Sequence, residues 1–173
     1  FIDRECMYFQ KSEVKGKTAL VTGAGKGIGK ACALALAEAG ANLIILSRTK
    51  SDLDKVEKQI LKLKKKCKSY ICDVSNYHDV KSVFSKISSL DILVNNAGTN
   101  RPDHFTKIKK EDMDYVVDLN MKAAFHVAQM ASKVMLKSKN RKAKGGSIIN
   151  MSSQLGKVGA PNRSIYNMTK FGI

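Results

Sequence analysis

The sequence predicts an α/β fold in which helices cover both faces of a doubly wound parallel sheet, giving three layers. Strand-like apolar runs alternate with helical patterns along the chain, and this alternation is typical of a parallel sheet. A cluster of glycines closes the first predicted strand and opens the first helix. The length of 173 residues and the 43% share of hydrophobic residues suit one core. We therefore expect a single domain.

The first two strand–helix pairs carry the clearest signals. Thr18–Thr22 and Asn42–Ser47 are apolar runs, which predict strands buried on both faces. A slim, alanine-rich helix is expected between them, from about Ile28 to Ala39. Ser51 is expected to begin the second helix, because Asp54 completes a capping-box spacing. The apolar stripe of this second helix would consist of Leu53, Val56, Ile60 and Leu63.

A short third strand and an amphipathic helix follow. The strand is predicted at Ser69–Cys72 and the helix at about Tyr77–Ser88. The buried side of this third helix would consist of Val80, Val83, Phe84 and Ile87. These elements continue the strand–helix alternation on the same sheet.

The last predicted strands are Asp91–Asn95 and Ser147–Met151, with a long helix from Glu111 to about Met135 between them. This helix would bury Val117, Met121, Ala124 and Ala128. A final helix begins near Ile165, and the polar, basic stretch from Lys137 to Gly146 is expected to be a surface loop.

The glycine-rich turn after the first strand predicts a phosphate site. Glycine permits a tight turn and a close approach of the backbone to a ligand, and the N-terminus of the following helix offers free N–H groups. The turn reads TGAGKGIG, and its candidate binding residues are Gly23, Gly25, Lys26, Gly27, Ile28 and Gly29. A tight strand–helix turn with no ligand is the simpler alternative, but the position of the turn favours a bound dinucleotide.

The end of the second strand indicates which dinucleotide is bound. NAD sites usually carry a carboxylate there for the ribose 2′-hydroxyl. This chain has Ser47 and Arg48 instead, and the next carboxylate, Asp52, already lies in the following helix. Arg48 and Lys26 together suit a 2′-phosphate. NADP(H) is therefore favoured over NAD(H), the alternative being that both cations only contact solvent.

A candidate proton donor lies close to the last residue. Tyr166 and Lys170 are four residues apart and so share one face of a helix. An ammonium there would favour the ionised form of the phenol and make it a usable acid near neutral pH. An inert pair on a helix surface is the alternative.

These residues together resemble the short-chain dehydrogenase/reductase family, from about Lys15 to the last residue. The matching motifs are TGAGKGIG at Thr22–Gly29, CDV at Cys72–Val74, NNAG at Asn95–Gly98, INMSS at Ile149–Ser153 and YNMTK at Tyr166–Lys170. The resemblance implies a Rossmann-type fold and an oxidoreductase that interconverts a ketone and a secondary alcohol by hydride transfer. Within the family, the chain is most similar to 3-oxoacyl-[acyl-carrier-protein] reductases, while sugar-acid, alcohol and steroid dehydrogenases share its motifs.

The resemblance also implies roles for individual residues. Cofactor contacts are implied for Asp73 and Val74 beside the adenine, and for Asn96, Ala97 and Gly98 along the fourth strand. Ser153 would hold the substrate oxygen, with Ser152 as the less favoured neighbour. Tyr166 would donate the proton, and Lys170 would activate it and bind the nicotinamide ribose. Asn120 would hold a water in a proton relay, or would satisfy a helix kink.

The composition argues against nucleic-acid binding, a membrane span and a metal site. The formal net charge is +16, mostly from Lys55–Lys68 and Lys137–Lys144. No base-stacking aromatics or recognition motif accompany these patches, so nucleic-acid binding is not expected, although the charge would help to attract anionic ligands. No apolar run reaches the length of a membrane span. The four cysteines lack metal-site spacing and predict reduced thiols in a cytoplasmic protein without a metal site.

The ends of the sequence predict a fragment. The chain begins at Phe1 rather than Met, and residues 1–14 form an extension whose first eight residues match no known pattern. Residues 15–173 would form the cofactor domain without its final strands and substrate loop. The complete protein is expected to be a homodimer or homotetramer acting on a small carbonyl substrate, which an acyl carrier protein could carry. The fragment alone is expected to be inactive, and a non-catalytic nucleotide-binding protein on this fold is the alternative class.

Overall fold

A computed structural model of the chain describes residues 14–138 and 145–173. The described strands form one parallel sheet in the order β3-β2-β1-β4-β5. Their bounds are β1 Thr18–Thr22, β2 Asn42–Ser47, β3 Cys67–Ile71, β4 Ile92–Asn95 and β5 Ser147–Asn150. The order reverses at β1, so the sheet is doubly wound and a crevice opens between the carboxyl ends of β1 and β4.

Helices cover both faces of this sheet, as predicted. Their bounds are α1 Gly27–Glu38, α2 Lys50–Lys62, α3 Tyr77–Ser85, α4 Lys110–Val117, α5 Ala123–Leu136 and α6 Ser164–Gly172. Residues Asp118–Lys122 form a π-helical turn between α4 and α5. Short 3₁₀ turns lie at Phe105–Lys107 and Gln154–Gly156. No helix among the described residues is long and apolar enough to cross a bilayer.

The core has two parts, one on each face of the sheet. Alternate residues of a strand point to opposite faces, so Leu20 of β1 packs with α3 and α5, whereas Ala19 and Val21 pack with α1 and α2. The alanines Ala33 and Ala37 are fully buried and let α1 approach the sheet closely. This close packing places the first turn of α1 directly over the end of β1.

The predicted capping box of the second helix is wrong. Thr49 is the N-cap residue and makes no side-chain cap hydrogen bond, so Ser51 and Asp54 already lie inside the helix. Asp54 instead accepts a 2.9 Å hydrogen bond from Lys50. The apolar stripe is buried as predicted at Leu53, Val56 and Ile60, but Leu63 follows the last helical residue and is 36% exposed.

Other boundaries differ from the prediction by one to three residues. β4 begins at Ile92 rather than Asp91, and β5 ends at Asn150 rather than Met151. The third strand begins at Cys67 rather than Ser69 and ends at Ile71, because it is an edge strand with half-exposed faces and polar residues. The third helix ends at Ser85 rather than Ser88, although Ile87 just beyond it is buried as predicted.

The predicted long helix is interrupted, and its buried face differs from the prediction. The π-helical turn at Asp118–Lys122 contains one residue more per turn than an α-helix. The buried residues of α4, this turn and α5 are Val116, Leu119, Asn120, Ala123, Ala124, Val127, Ala131, Val134 and Met135. Of the predicted face only Ala124 is buried, while Val117, Met121 and Ala128 are half-exposed. Most of the predicted Lys137–Gly146 loop, and residues 1–13, lie outside the described residues.

Candidate active site

Two glycines of the turn, Gly23 and Gly29, have surroundings or backbone angles that would not suit a side chain. Gly23 has φ +64°, a conformation that favours glycine. A Cβ added at Gly29 would lie 2.3 Å from the Gly23 carbonyl oxygen and 2.5 Å from Asn96 Nδ2. Gly29 therefore allows α1 to begin directly against β1 and β4, while Gly27, with φ +55°, has open space where its side chain would be. The N-terminal turn of α1 consequently faces an open cradle that suits a phosphate.

Thr22 ties this turn to the end of β4. Its side chain is fully buried, and its hydroxyl oxygen accepts hydrogen bonds from the backbone N–H groups of Asn96 (2.9 Å) and Ala97 (3.0 Å). Asn96 Nδ2 in return donates to the Thr22 carbonyl oxygen at 3.0 Å. The Asn96–Gly98 segment is thereby held beside the glycine turn.

A cavity of about 600 Å³ lies at the carboxyl ends of the strands. This volume falls within the usual range of small-molecule sites. It brings together most of the predicted cofactor residues: Gly23, Gly25, Lys26, Gly27, Ile28, Ser47, Arg48, Asp73, Val74, Asn96, Ala97, Gly98, Tyr166 and Lys170. Gly29 lies behind the wall, and neither Asn120 nor Ser153 lines the cavity. The residues present fit an extended dinucleotide, since the cavity joins a glycine cradle at one end to Tyr166 at the other.

Arg48 lies at the rim of this cavity and is restrained by a neighbour. Its Nη1 donates a 2.9 Å hydrogen bond to the Tyr115 hydroxyl, and lies 3.8 Å from Asp73 Oδ2. The hydrogen bond to Tyr115 is the main cause that raises the pKa of Arg48 above its ordinary value. Because 58% of its side chain is exposed, the guanidinium remains accessible to an anionic ligand.

Lys170 occupies the opposite end of the cavity. Only 6% of the residue is exposed, and its Nζ donates a 2.7 Å hydrogen bond to the Met151 carbonyl oxygen. Burial lowers the pKa of Lys170. Its Nζ lies 5.6 Å from the centroid of the Tyr166 ring, so the two side chains are neighbours on one face of α6, as their spacing predicts. The pair faces the same cavity as the glycine turn.

Asn120 joins three elements rather than lining the cavity. Its Oδ1 accepts from the Thr99 N–H at 2.8 Å, and its Nδ2 donates to the Thr99 carbonyl (2.9 Å) and to Thr169 Oγ1 (3.0 Å). Thr169 Oγ1 donates in turn to the Tyr166 carbonyl at 2.9 Å. Asn120 lies in the π-helical turn, but its side chain bonds to neighbouring elements and not to its own helix.

The two adjacent serines have different surroundings. Ser152 lines the cavity and donates to the Lys170 carbonyl oxygen at 2.7 Å. Ser153 Oγ accepts a 3.1 Å hydrogen bond from the Leu155 N–H. No acceptor for its own proton lies within hydrogen-bonding distance among the described residues, so Ser153 keeps a free donor.

Comparison with known proteins identifies the family. The profile of the short chain dehydrogenase family matches residues 17–173. The chain belongs to this family. It is 37% identical over 164 residues to a 3-oxoacyl-[acyl-carrier-protein] reductase of Thermotoga maritima, covering 92% of this chain and 65% of that protein.

Solved structures of the family share the fold. The chain matches a putative short-chain alcohol dehydrogenase of Sinorhizobium meliloti with a TM-score of 0.83 and 36% identity, over 91% of this chain and 62% of that one. It matches an NAD⁺-bound xylitol dehydrogenase with a TM-score of 0.83 and 33% identity, over 92% and 62% of the two chains. Short-chain dehydrogenases bind a nicotinamide dinucleotide, and this chain spans less than two thirds of the length of these relatives.

Several residues of the site were not predicted from the sequence. Thr22 and Thr169 act through hydroxyl hydrogen bonds to distant segments, and Tyr115 contacts Arg48 across 67 positions. Thr22 and Thr169 belong to the quoted TGAGKGIG and YNMTK motifs, which were the available signals, whereas no motif marks Tyr115. Cys72 lines the cavity, but burial raises its pKa to about 12 and keeps it a thiol. Within the described ranges, no three His, Cys, Asp or Glu residues are grouped as a metal site requires.

Proposed function

We propose that the complete protein is an NADP(H)-dependent oxidoreductase that interconverts a ketone and a secondary alcohol. The observation that carries this proposal is that Tyr166 and Lys170 face the same cavity as the glycine turn. A proton donor with its cation therefore stands at one end of a site whose other end suits phosphates. Family membership supports the same reaction class.

The proposed roles follow from the positions of the side chains. NADPH supplies the hydride when bound. The Ser153 hydroxyl donates to the carbonyl oxygen of the substrate, and Tyr166 gives that oxygen its proton. Lys170, whose ammonium donates to the Met151 carbonyl, would stabilise the ionised phenol that remains and would hold the ribose hydroxyls of the cofactor. Asn120 fixes the Thr99 loop and α6, and we propose that a water bound beside it returns the proton from solvent.

We propose NADP(H) rather than NAD(H) because of the charged residues near the end of β2, where the adenosine part of the cofactor would bind. Arg48 and the exposed Lys26 line the cavity with no carboxylate at the end of β2. Asp52 also lines the cavity, but it lies in the first turn of α2. Two cations stabilise a 2′-phosphate far more than they stabilise a ribose diol.

A 3-oxoacyl thioester is the proposed substrate class. The Thermotoga maritima relative bears this activity in its name, and a net charge of +16 complements an acidic carrier protein. A sugar alcohol is the alternative, favoured by the likeness to a xylitol dehydrogenase. We further propose a homodimeric or homotetrameric, cytoplasmic protein without nucleic-acid partners. The free thiols of Cys32, Cys67 and Cys72 support a cytoplasmic location, because thiols stay reduced in that compartment.

The Tyr166→Phe variant tests the proposed acid in the complete product of the gene. NADPH oxidation would be followed with acetoacetyl thioester and, separately, with a ketose. We expect the thioester rate to fall about 10²- to 10⁴-fold, because general acid catalysis contributes that much. Tyr77→Phe, at an exposed tyrosine on α3 outside the cavity, is the matched control.

Equal rates for the wild type and the Tyr166→Phe variant would exclude Tyr166 as the acid. A wild-type rate that is higher with the ketose than with the thioester would instead replace the proposed substrate class. Cofactor titration of Arg48→Asp tests the NADP preference, which is excluded if NADPH affinity stays unchanged.

A further inference from the structure

The guanidinium of Arg48 is held by a residue far away in the sequence. Tyr115 lies on α4, on the other side of the crevice from the end of β2, and its hydroxyl accepts the 2.9 Å hydrogen bond from Arg48 Nη1. Arg48 follows the last residue of β2 and is mostly exposed. A long exposed side chain would otherwise sample many rotamers, so this contact limits where the charge is located.

A neutral acceptor restrains a cation without cancelling its charge. Asp73 Oδ2 forms an ion pair with Arg48 Nη1 at 3.8 Å, but this distance is too long for a hydrogen bond, so the carboxylate occupies none of the N–H donors. A guanidinium fixed by a bidentate carboxylate would have its donors occupied and its charge compensated. Bonded to a phenol, Arg48 keeps most of its five N–H donors for a ligand.

Tyr115 is itself held by a second arginine. The guanidinium carbon of Arg101 lies 5.1 Å from the centroid of the Tyr115 ring, within the range of a cation–π contact. Arg101 also forms a salt bridge of 3.3 Å with Asp112, which lies on α4 one turn before Tyr115. Arg101 therefore contacts the ring of Tyr115, while the hydroxyl is bonded to Arg48.

We propose that Tyr115 is a positioning residue that confers preference for the 2′-phosphorylated dinucleotide by holding Arg48 at the rim of the cavity. The inference rests on the proposed NADP(H) dependence. Because the guanidinium is ordered before the ligand arrives, binding loses less conformational entropy at this side chain. Tyr115 does not line this cavity, although it lines an adjoining one together with Arg48. Its effect on a cofactor bound in the first cavity therefore passes through Arg48.

Tyr115→Phe is the variant that isolates the hydroxyl. It keeps the ring against Arg101 and removes only the acceptor of the Arg48 hydrogen bond. In the complete protein we expect the Kd for NADPH to rise about fivefold, and the Kd for NADH to stay within about twofold. Tyr70→Phe is the matched control, since Tyr70 is half-buried on β3 and lies outside the cavity.

A thermodynamic cycle with Arg48→Gln completes the test. If Tyr115 acts through Arg48, adding Tyr115→Phe to the Arg48→Gln protein changes NADPH affinity by less than about twofold. An equal loss of NADPH and NADH affinity in Tyr115→Phe, or full additivity in the cycle, overturns the inference and leaves a structural role only. A wild-type protein that binds both cofactors equally overturns the proposed NADP dependence itself, and is recognised before any variant is made.

Discussion

At the scale of single residues, buried hydroxyls and amides hold the site more than its charges do. Thr22 and Thr169 are fully buried. Each hydroxyl accepts a hydrogen bond from a segment that lies far away in the sequence. Thr22 also donates to Asn95, and Thr169 donates to the Tyr166 carbonyl on its own helix. Buried polar groups are costly unless they are paired, so each of these contacts constrains the position of a loop that lines the cavity.

Thr169→Val tests this view at one residue. Valine keeps the shape but leaves Asn120 Nδ2 without one of its acceptors and removes the donor to the Tyr166 carbonyl. We expect unfolding in urea to show a loss of about 1–3 kcal/mol, because a buried donor stays unpaired. Thr106→Val, at an exposed position, should change stability by less than about 0.5 kcal/mol. Equal effects of the two variants would contradict a special role for Thr169.

Lys170 makes the stability of the protein depend on pH. Burial lowers its pKa below the ordinary value of 10.5. The unfolded chain therefore binds more protons than the folded one between the lowered pKa and 10.5, and stability must rise with pH in that window. We expect urea unfolding of the wild type to show this rise, and Lys170→Met to have a flatter profile. A profile of Lys170→Met that is parallel to the wild type would exclude a buried ammonium.

Contacts of single residues were only partly predictable from the sequence. The spacing of Tyr166 and Lys170 predicts their shared helix face, because four residues make about one helical turn. The Met151 carbonyl that holds Lys170, and the Tyr115 hydroxyl that holds Arg48, come from other elements. Such partners depend on how elements pack, and no local pattern encodes them.

At the scale of elements, the sequence predicted two buried strands without error. β1 and β2 have the predicted bounds, and their residues are nearly all buried. β3 is a half-exposed edge strand, and its mixed polar sequence gave no clear start. The π-helical turn at Asp118–Lys122 contains neither proline nor glycine, so nothing in the sequence marks it. It nevertheless decides which residues of α4 and α5 face the core.

The glycine turn is the element whose geometry is most constrained. In Gly29→Ala, the new Cβ would lie 2.3 Å from a backbone oxygen, so β1 and α1 must move apart. We expect a loss of stability of about 1–3 kcal/mol, as in other overpacked sites, and weaker NADPH binding. Gly159→Ala is the control, because its Cβ would meet only Asn167 Nδ2 at 3.7 Å. Thermal unfolding and cofactor titration of both variants measure the difference, and an unaffected Gly29→Ala would contradict this packing.

At the scale of the whole molecule, we expect the net charge of +16 and the local charge of the site to affect cofactor binding in different ways. Thr49 and Asp52, at the start of α2, line the cavity. Lys62 ends the same helix, which is roughly 20 Å long. The Debye length is about 8 Å at physiological salt and about 30 Å at 0.01 M. A lysine as far from the cavity as Lys62 is therefore screened from it at physiological salt but not at 0.01 M salt.

The double variant Lys62→Glu/Lys66→Glu should separate the two effects. Both side chains are exposed and lie outside the cavity. At 0.15 M salt we expect NADPH affinity within about twofold of the wild type, since the charges are screened. At 0.01 M salt we expect slower association in stopped-flow measurements, because long-range attraction of the anion is reduced. Lys26→Glu, within the cavity, should lower NADPH affinity at both salt concentrations. Equal losses in the two variants at 0.15 M would mean that the overall charge, and not the built site, attracts the cofactor.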